Sequence, residues 1–170
     1  MGQRRRATKA SDGVELRGLH HVAVSVSDLD RSLQFYVDLL GLEVAARGAL
    51  RGSGITRLLH LPDDHEARQA FVKGSSSLGQ IELIEWRPAS LPAPRAIPAL
   101  GLSLISFGLS PEGFDVMLRR CRDNAVEIVG GPEVLDVPDY PPTKLFIVVD
   151  PDRNPVEFMA RAEPHDVRRH

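Results

Sequence analysis

The sequence predicts an α+β protein made of two tandem βαβββ modules, and three observations carry that prediction. A strand-to-helix segment, His21-Val-Ala-Val-Ser-Val-Ser-Asp28 closing at Gly41, is echoed by Leu104-Ile-Ser-Phe-Gly-Leu-Ser-Pro111 closing at Asn124. The offset is constant at 83 residues: 21 to 104, 28 to 111 and 41 to 124. Each copy then runs on to an apolar strand holding one carboxylate, Ile81-Glu82-Leu83 in the first and Val156-Glu157-Phe158 in the second. A duplicated module implies two half-sheets that face each other across one cavity, with paired polar positions lining it.

The elements follow in order. His21 to Val26 alternates with period two, so the valines face a core while His21, Ala23 and Ser25 face the other way. Small and polar side chains on that second face predict a cavity rather than packed protein. A helix follows, with Ser27 as N-cap, Asp30 as its capping-box partner and Asp28 favoured by the positive helix end. Leu29, Leu33, Tyr36, Val37 and Leu40 form its buried stripe, and Gly41 stops it. Three strand-like stretches complete the copy: Leu42 to Arg47, Ile55 to Leu61, and Ala70 to Trp86 broken at Gly74-Ser-Ser-Ser77.

Prolines at 88, 92, 94 and 98 make residues 88–100 a stiff connector, the clearest boundary in the chain. The second copy then repeats the plan. Leu104 to Leu109 is a strand, and Ser110-Pro111 caps and starts a helix whose inner face is Phe114, Met117, Leu118 and Cys121. Glu127 to Val129, Lys144 to Val149 and Pro155 to Ala160 are its remaining strands, the last two joined by the turn Asp150-Pro-Asp-Arg-Asn154. The organisation is a basic tail (1–15), a first module (16–87), the linker (88–100), a second module (101–161) and a polar tail (162–170).

Bulk properties exclude several classes. At 170 residues, 42% hydrophobic and 26% charged, the chain can bury a real core. A net charge of −2 gives no reason to expect nucleic acid or an anionic membrane surface as partner. No apolar run approaches a membrane span, and Arg4, Arg5 and Arg6 are not followed by the apolar stretch of a secretory signal. The single cysteine, Cys121, excludes an internal disulfide and fits a reducing compartment, so a cytoplasmic location is expected.

The motifs Leu19-His-His-Val-Ala-Val, Asp28-Leu-Asp-Arg-Ser-Leu-Gln-Phe-Tyr36, Leu40-Gly-Leu42 and Asp150-Pro-Asp-Arg-Asn-Pro-Val-Glu157, with the duplication, resemble the vicinal oxygen chelate superfamily. That group includes glyoxalase I, extradiol dioxygenases, methylmalonyl-CoA epimerase and bleomycin-resistance proteins, and the resemblance covers about residues 16–161. It implies a glyoxalase-like fold, paired modules forming an open, curled mixed sheet around a cavity, and a homodimer. In metal-dependent members the ligands come from the first and last strand of each module. Carried onto this chain, those positions are His21, Glu82, Leu104 and Glu157.

Three of the four are ligand types. An imidazole and two carboxylates converging on a concave face suit a divalent ion such as manganese, iron, cobalt, nickel, zinc or magnesium. Open positions on it would take two substrate oxygens, and Glu82 or Glu157, once displaced, could act as a proton-transfer base. Leu104 supplies no electron pair. Glu85 lies an odd number of residues from Glu82, so only one of them faces inward, and the correspondence between modules selects Glu82. His60 is set aside as a substitute ligand, because its strand lies away from the ligand-bearing pair in the family's strand order. Trp86 is read as a strand-end or interface residue, and the Asp150 turn as turn chemistry.

Two functions follow. The first is a divalent-metal-dependent lyase or isomerase acting on a small oxygenated substrate, with His21, Glu82 and Glu157 as ligands. An ordinary extradiol dioxygenase is disfavoured, because the second histidine its iron needs is missing. The second is a metal-free small-molecule binder of the bleomycin-resistance type. Leu104, Ala23, Ser25, Ser106 and Gly108 give its cavity roomy walls, and Tyr140 would cover the mouth. Retention of three ligand types places the metal-dependent reading first.

Overall fold

The computed structural model describes residues 19–51, 57–62, 64–76, 79–88, 102–135 and 141–163. The expected basic tail, nearly all of the linker, most of the polar tail and Tyr140 lie outside the described residues. The first module runs β1 (Val22–Ser25), α1 (Leu29–Leu33), a π-helical continuation (Gln34–Leu39), β2 (Glu43–Leu50), β3 (Glu66–Lys73) and β4 (Ile81–Arg87). The second runs β5 (Ile105–Gly108), α2 (Pro111–Asp123), β6 (Ile128–Leu135), β7 (Thr143–Val149) and β8 (Pro155–Arg161).

Each module forms a four-stranded mixed sheet, ordered β1-β4-β3-β2 and β5-β8-β7-β6. The first strand of each lies parallel to the last, and the other pairings are antiparallel. The duplication is therefore structural as well as sequential: Ala23 faces Glu82 across β1 and β4, as Ser106 faces Glu157 across β5 and β8. No helix among the described residues is long and apolar enough to cross a membrane.

One expected strand does not form. Residues 57–59, within the Ile55 to Leu61 stretch, make a helical turn instead. Glu66–Lys73 already pairs between β2 and β4, so the sheet has no interior place for another strand. A short apolar run suits either helix or strand, and tertiary pairing decides. Leu58 and Leu59 are exposed there, while Leu61 packs on Ala67, Ile84 and Trp86.

The first helix also starts one residue later than its pattern suggests. Asp28 is the N-cap, accepting from the backbone N–H of Asp30 at 2.9 Å and of Arg31 at 3.0 Å. Ser27 is committed elsewhere, as described below. The π-helical turn widens the spiral and brings Phe35 into the core beside Tyr36, while Val37 stays partly buried. Gly41 closes the segment at φ +83°, a left-handed conformation that glycine adopts without a Cβ clash. The second helix is as expected: Ser110 accepts from the Gly113 N–H, and Phe114, Met117, Leu118 and Cys121 are buried.

One core joins the modules. It takes Val24, Val26, Ala70, Val72 and Leu83 from the first sheet, Phe146, Val148, Val156, Phe158 and Ala160 from the second, and the inner faces of both helices. A polar latch reinforces it. Asp150, almost fully buried in the β7–β8 turn, accepts from the Tyr36 hydroxyl at 3.0 Å, from Asn154 Nδ2 at 2.9 Å, and from the backbone N–H of Asp152 and Asn154 at 2.9 and 2.8 Å. Asp152 accepts from the Ser27 backbone N–H and from Arg31 Nη2, both at 2.9 Å, and from the Ser27 hydroxyl. Within this turn Arg153, at φ 66°, takes the left-handed position.

Burial, and then the Asp150 carboxylate, push the Tyr36 phenol well above its ordinary pKa, so it remains a donor at all physiological pH values. Tyr36→Phe is expected to lower stability by about 1–2 kcal/mol, because the buried Asp150 oxygen loses one of its donors. Urea unfolding should show a lower midpoint at unchanged slope.

A second buried carboxylate, Glu85, sits on the helix side of β4. Burial raises its pKa, but the Leu29 backbone N–H (2.9 Å) and the Arg68 and Arg87 guanidiniums outweigh that and hold it at about 2, against an ordinary 4.5. A carboxylate depressed in this way stabilises the fold above pH 4.5 and loses that contribution as the pH falls toward 2. Glu85→Gln should therefore be less stable at neutral pH by about 1–3 kcal/mol and show a flatter stability profile across that acid window.

Candidate functional site

Strand alternation separates the shared core from a second face on each sheet. On the first module that face carries His21, Ala23 and Ser25 from the β1 segment, and Glu82, Ile84 and Trp86 from β4. It continues with Phe71, Gln69 and Ala67 from β3, and Ala46, Gly48 and Leu50 from β2. Val24 and Val26 are buried while His21, Ala23 and Ser25 are exposed, the division that the alternating pattern predicts.

At one end of this face His21 Nε2 lies 3.3 Å from Glu82 Oε2. Glu82 is buried, whereas the His21 side chain is 37% exposed. His20 Nδ1 lies 2.7 Å from His21 Nδ1, so one of those two nitrogens carries the shared proton. The His21 ring meets Phe71 edge-on at a centroid distance of 5.4 Å. At the other end Ala67, Ile84 and Trp86 form a small hydrophobic cluster, backed by Leu50 and Leu61 and separate from the main core. Trp86 donates from Nε1 to Ser25 Oγ at 3.2 Å. Trp86, one residue short of the end of β4, is thus the strand-end residue expected and packs on this face of the sheet. The odd spacing from Glu85, which faces the helix, was the signal that could have placed it.

On the second module the corresponding face holds Leu104, Ser106, Gly108, Glu157, Met159, Ile147 and Leu145. Ser106 donates to Glu157 Oε1 at 2.7 Å, and Leu104 is half-buried. A cavity of about 300 Å³ opens at the far end of β5 and β8, lined by Gly108, Leu109, Pro141, Thr143, Met159, Ala160 and Arg161. A Cβ at Gly108 would meet nothing within 4 Å, so the absent side chain leaves open space there.

The candidate ligands thus arrive as two separate pairs, His21–Glu82 and Ser106–Glu157. Among the described residues no three His, Cys, Asp or Glu side chains group to hold a metal ion. Two donors 3.3 Å apart suit neighbouring positions on one ion, but zinc sites, structural and catalytic, take at least three protein ligands. Leu104 has none to add, and Glu157 is engaged by Ser106. Among the described residues, then, no set of three donors is assembled around one point. His60 is exposed at the end of the helical turn, with φ 55°, and belongs to no strand.

Two βαβββ modules, each with a core face and an open face, define a glyoxalase-type fold. The chain belongs to the Glyoxalase/Bleomycin resistance protein/Dioxygenase superfamily, whose sequence profile matches residues 18–158. Solved structures with this fold include a glyoxalase family protein from Bacillus cereus, 20% identical, covering 91% of this chain and 100% of its own at a TM-score of 0.75. A glyoxalase/dioxygenase from Nostoc punctiforme is 20% identical, covering 93% and 99% at 0.64. TnmS3, an antibiotic-binding protein from Streptomyces sp. CB03234, is 19% identical, covering 88% and 99% at 0.58. At these identities the likeness is one of fold. No curated protein matches the sequence.

Proposed function

We propose that this chain is a metal-free binding protein whose first module holds a small, partly apolar molecule on its open face. The observation that carries the reading is the composition of that face. Phe71, Ile84 and Trp86 supply apolar and aromatic walls, and His21–Glu82 supplies one polar end. Ligand sites typically combine mainly apolar walls with a few placed polar groups in this way. The antibiotic-binding protein among the structural neighbours is in keeping with such a role. A buried, unpaired Cys121 supports placing the protein in the cytoplasm.

A second reading keeps the chain as a divalent-metal-dependent lyase or isomerase, and the His21–Glu82 separation favours it. It requires Glu157 of a second copy to approach that pair, hence a homodimer with modules paired between chains. Glu82 or Glu157 would then also serve as the proton-transfer base.

Two measurements divide the readings. In the presence of a chelator, titration with small aromatic molecules should quench Trp86 fluorescence saturably, and Phe71→Ala should weaken that binding about tenfold. Calorimetric titration of chelator-stripped protein with manganese, nickel, cobalt and zinc should show no stoichiometric binding. Stoichiometric metal binding that disappears in Glu157→Ala, without chelator-resistant quenching, would overturn the first reading in favour of the second.

A further inference from the structure

On the second module β8 outruns its parallel neighbour. β5 ends at Gly108, opposite Met159, while β8 continues to Arg161, and the cavity of about 300 Å³ lies beside those last residues. That volume is at the lower end of the range for ligand sites. The walls are largely apolar, with Leu109, Pro141 and Met159 around the gap that Gly108 leaves by having no side chain. Two polar side chains join them. Thr143, buried opposite Arg161 on β7, donates its hydroxyl proton to the Pro141 carbonyl at 2.8 Å. Arg161 is exposed, and its guanidinium has no ion-pair or hydrogen-bond partner among the described residues. No carboxylate among the described residues lines the cavity to compete for it.

An apolar recess carrying one unengaged cation specifies an amphipathic anion. We propose that this recess is a second binding site, for a small carboxylate with a compact apolar body. The carboxylate sits on the Arg161 guanidinium and the body against Leu109, Pro141 and Met159. A guanidinium fork matches a carboxylate with two parallel N–H donors. An exposed ion pair is worth little by itself, so apolar contact supplies much of the affinity while the charge sets the specificity. Both parts are therefore needed in one molecule. The recess belongs to the second module, so the proposal does not rest on the small-molecule reading of the first module's open face.

The test is calorimetric titration of the full chain at neutral pH with sodium benzoate, benzamide and sodium acetate. Benzamide keeps the ring without the charge, and acetate keeps the charge without the ring. Benzoate should bind saturably, about tenfold tighter than either. Arg161→Gln should bring benzoate and benzamide together, and Arg161→Lys should keep part of the preference. Gly108→Val, whose added Cβ meets no neighbour within 4 Å, should fill the recess and weaken benzoate about tenfold without lowering the urea midpoint. Phe71→Ala, on the first module, should leave benzoate binding unchanged. Absence of benzoate binding, benzoate no tighter than acetate, or a preference over benzamide that survives Arg161→Gln would overturn the proposal. Binding lost in Phe71→Ala and kept in Gly108→Val would also overturn it, by placing the anion on the first module.

Discussion

The rest of the structure depends on the buried carboxylate of Asp150. A charge that far from solvent is tolerable only when its lone pairs are filled, and four donors fill them. Three come from its own turn and one, the Tyr36 hydroxyl, from the other module. The turn is thereby rigid enough to present Asp152 to Ser27 and Arg31. One residue thus couples the geometry of a tight turn to the docking of two half-proteins, and the shared apolar core closes around that arrangement. The orientation of everything on the open faces follows from it.

Docking through the helix-bearing sides has a chemical consequence. The face carrying His21 and Glu82 and the face carrying Glu157 each hold a pair of polar residues in contact with each other. Glu157 has its Ser106 hydroxyl and Glu82 has its imidazole. Leucine at 104 offers no electron pair beside Ser106 and Glu157. What remains on the first module is a surface with aromatic breadth and few, well-separated polar points.

Local pattern made much of this legible. Period-two alternation separated Val24 and Val26 from His21, Ala23 and Ser25, and set Glu82 and Glu85 on opposite faces. The second helix, with Ser110, Pro111 and its four buried residues, reads directly from spacing and capping chemistry. The misses share one cause, which is that their partners lie far away in sequence. Ser27 has good N-cap chemistry, but Asp152 claims it and leaves the cap to Asp28. Ile55 to Leu61 has strand-like composition, but the sheet was already filled by Glu66–Lys73. The Asp150 turn carries ordinary turn residues, and nothing local announces that its carboxylates dock against α1.

The latch also bears on how the chain is made. Tyr36 lies 114 residues before Asp150, and Ser27 lies 125 before Asp152. During synthesis the amino-terminal half emerges with an apolar helix flank whose polar cover has not been translated. At about 5–20 residues per second, that flank waits several seconds or longer for its partner. The first module must therefore hold together, or be shielded by a chaperone, through most of elongation.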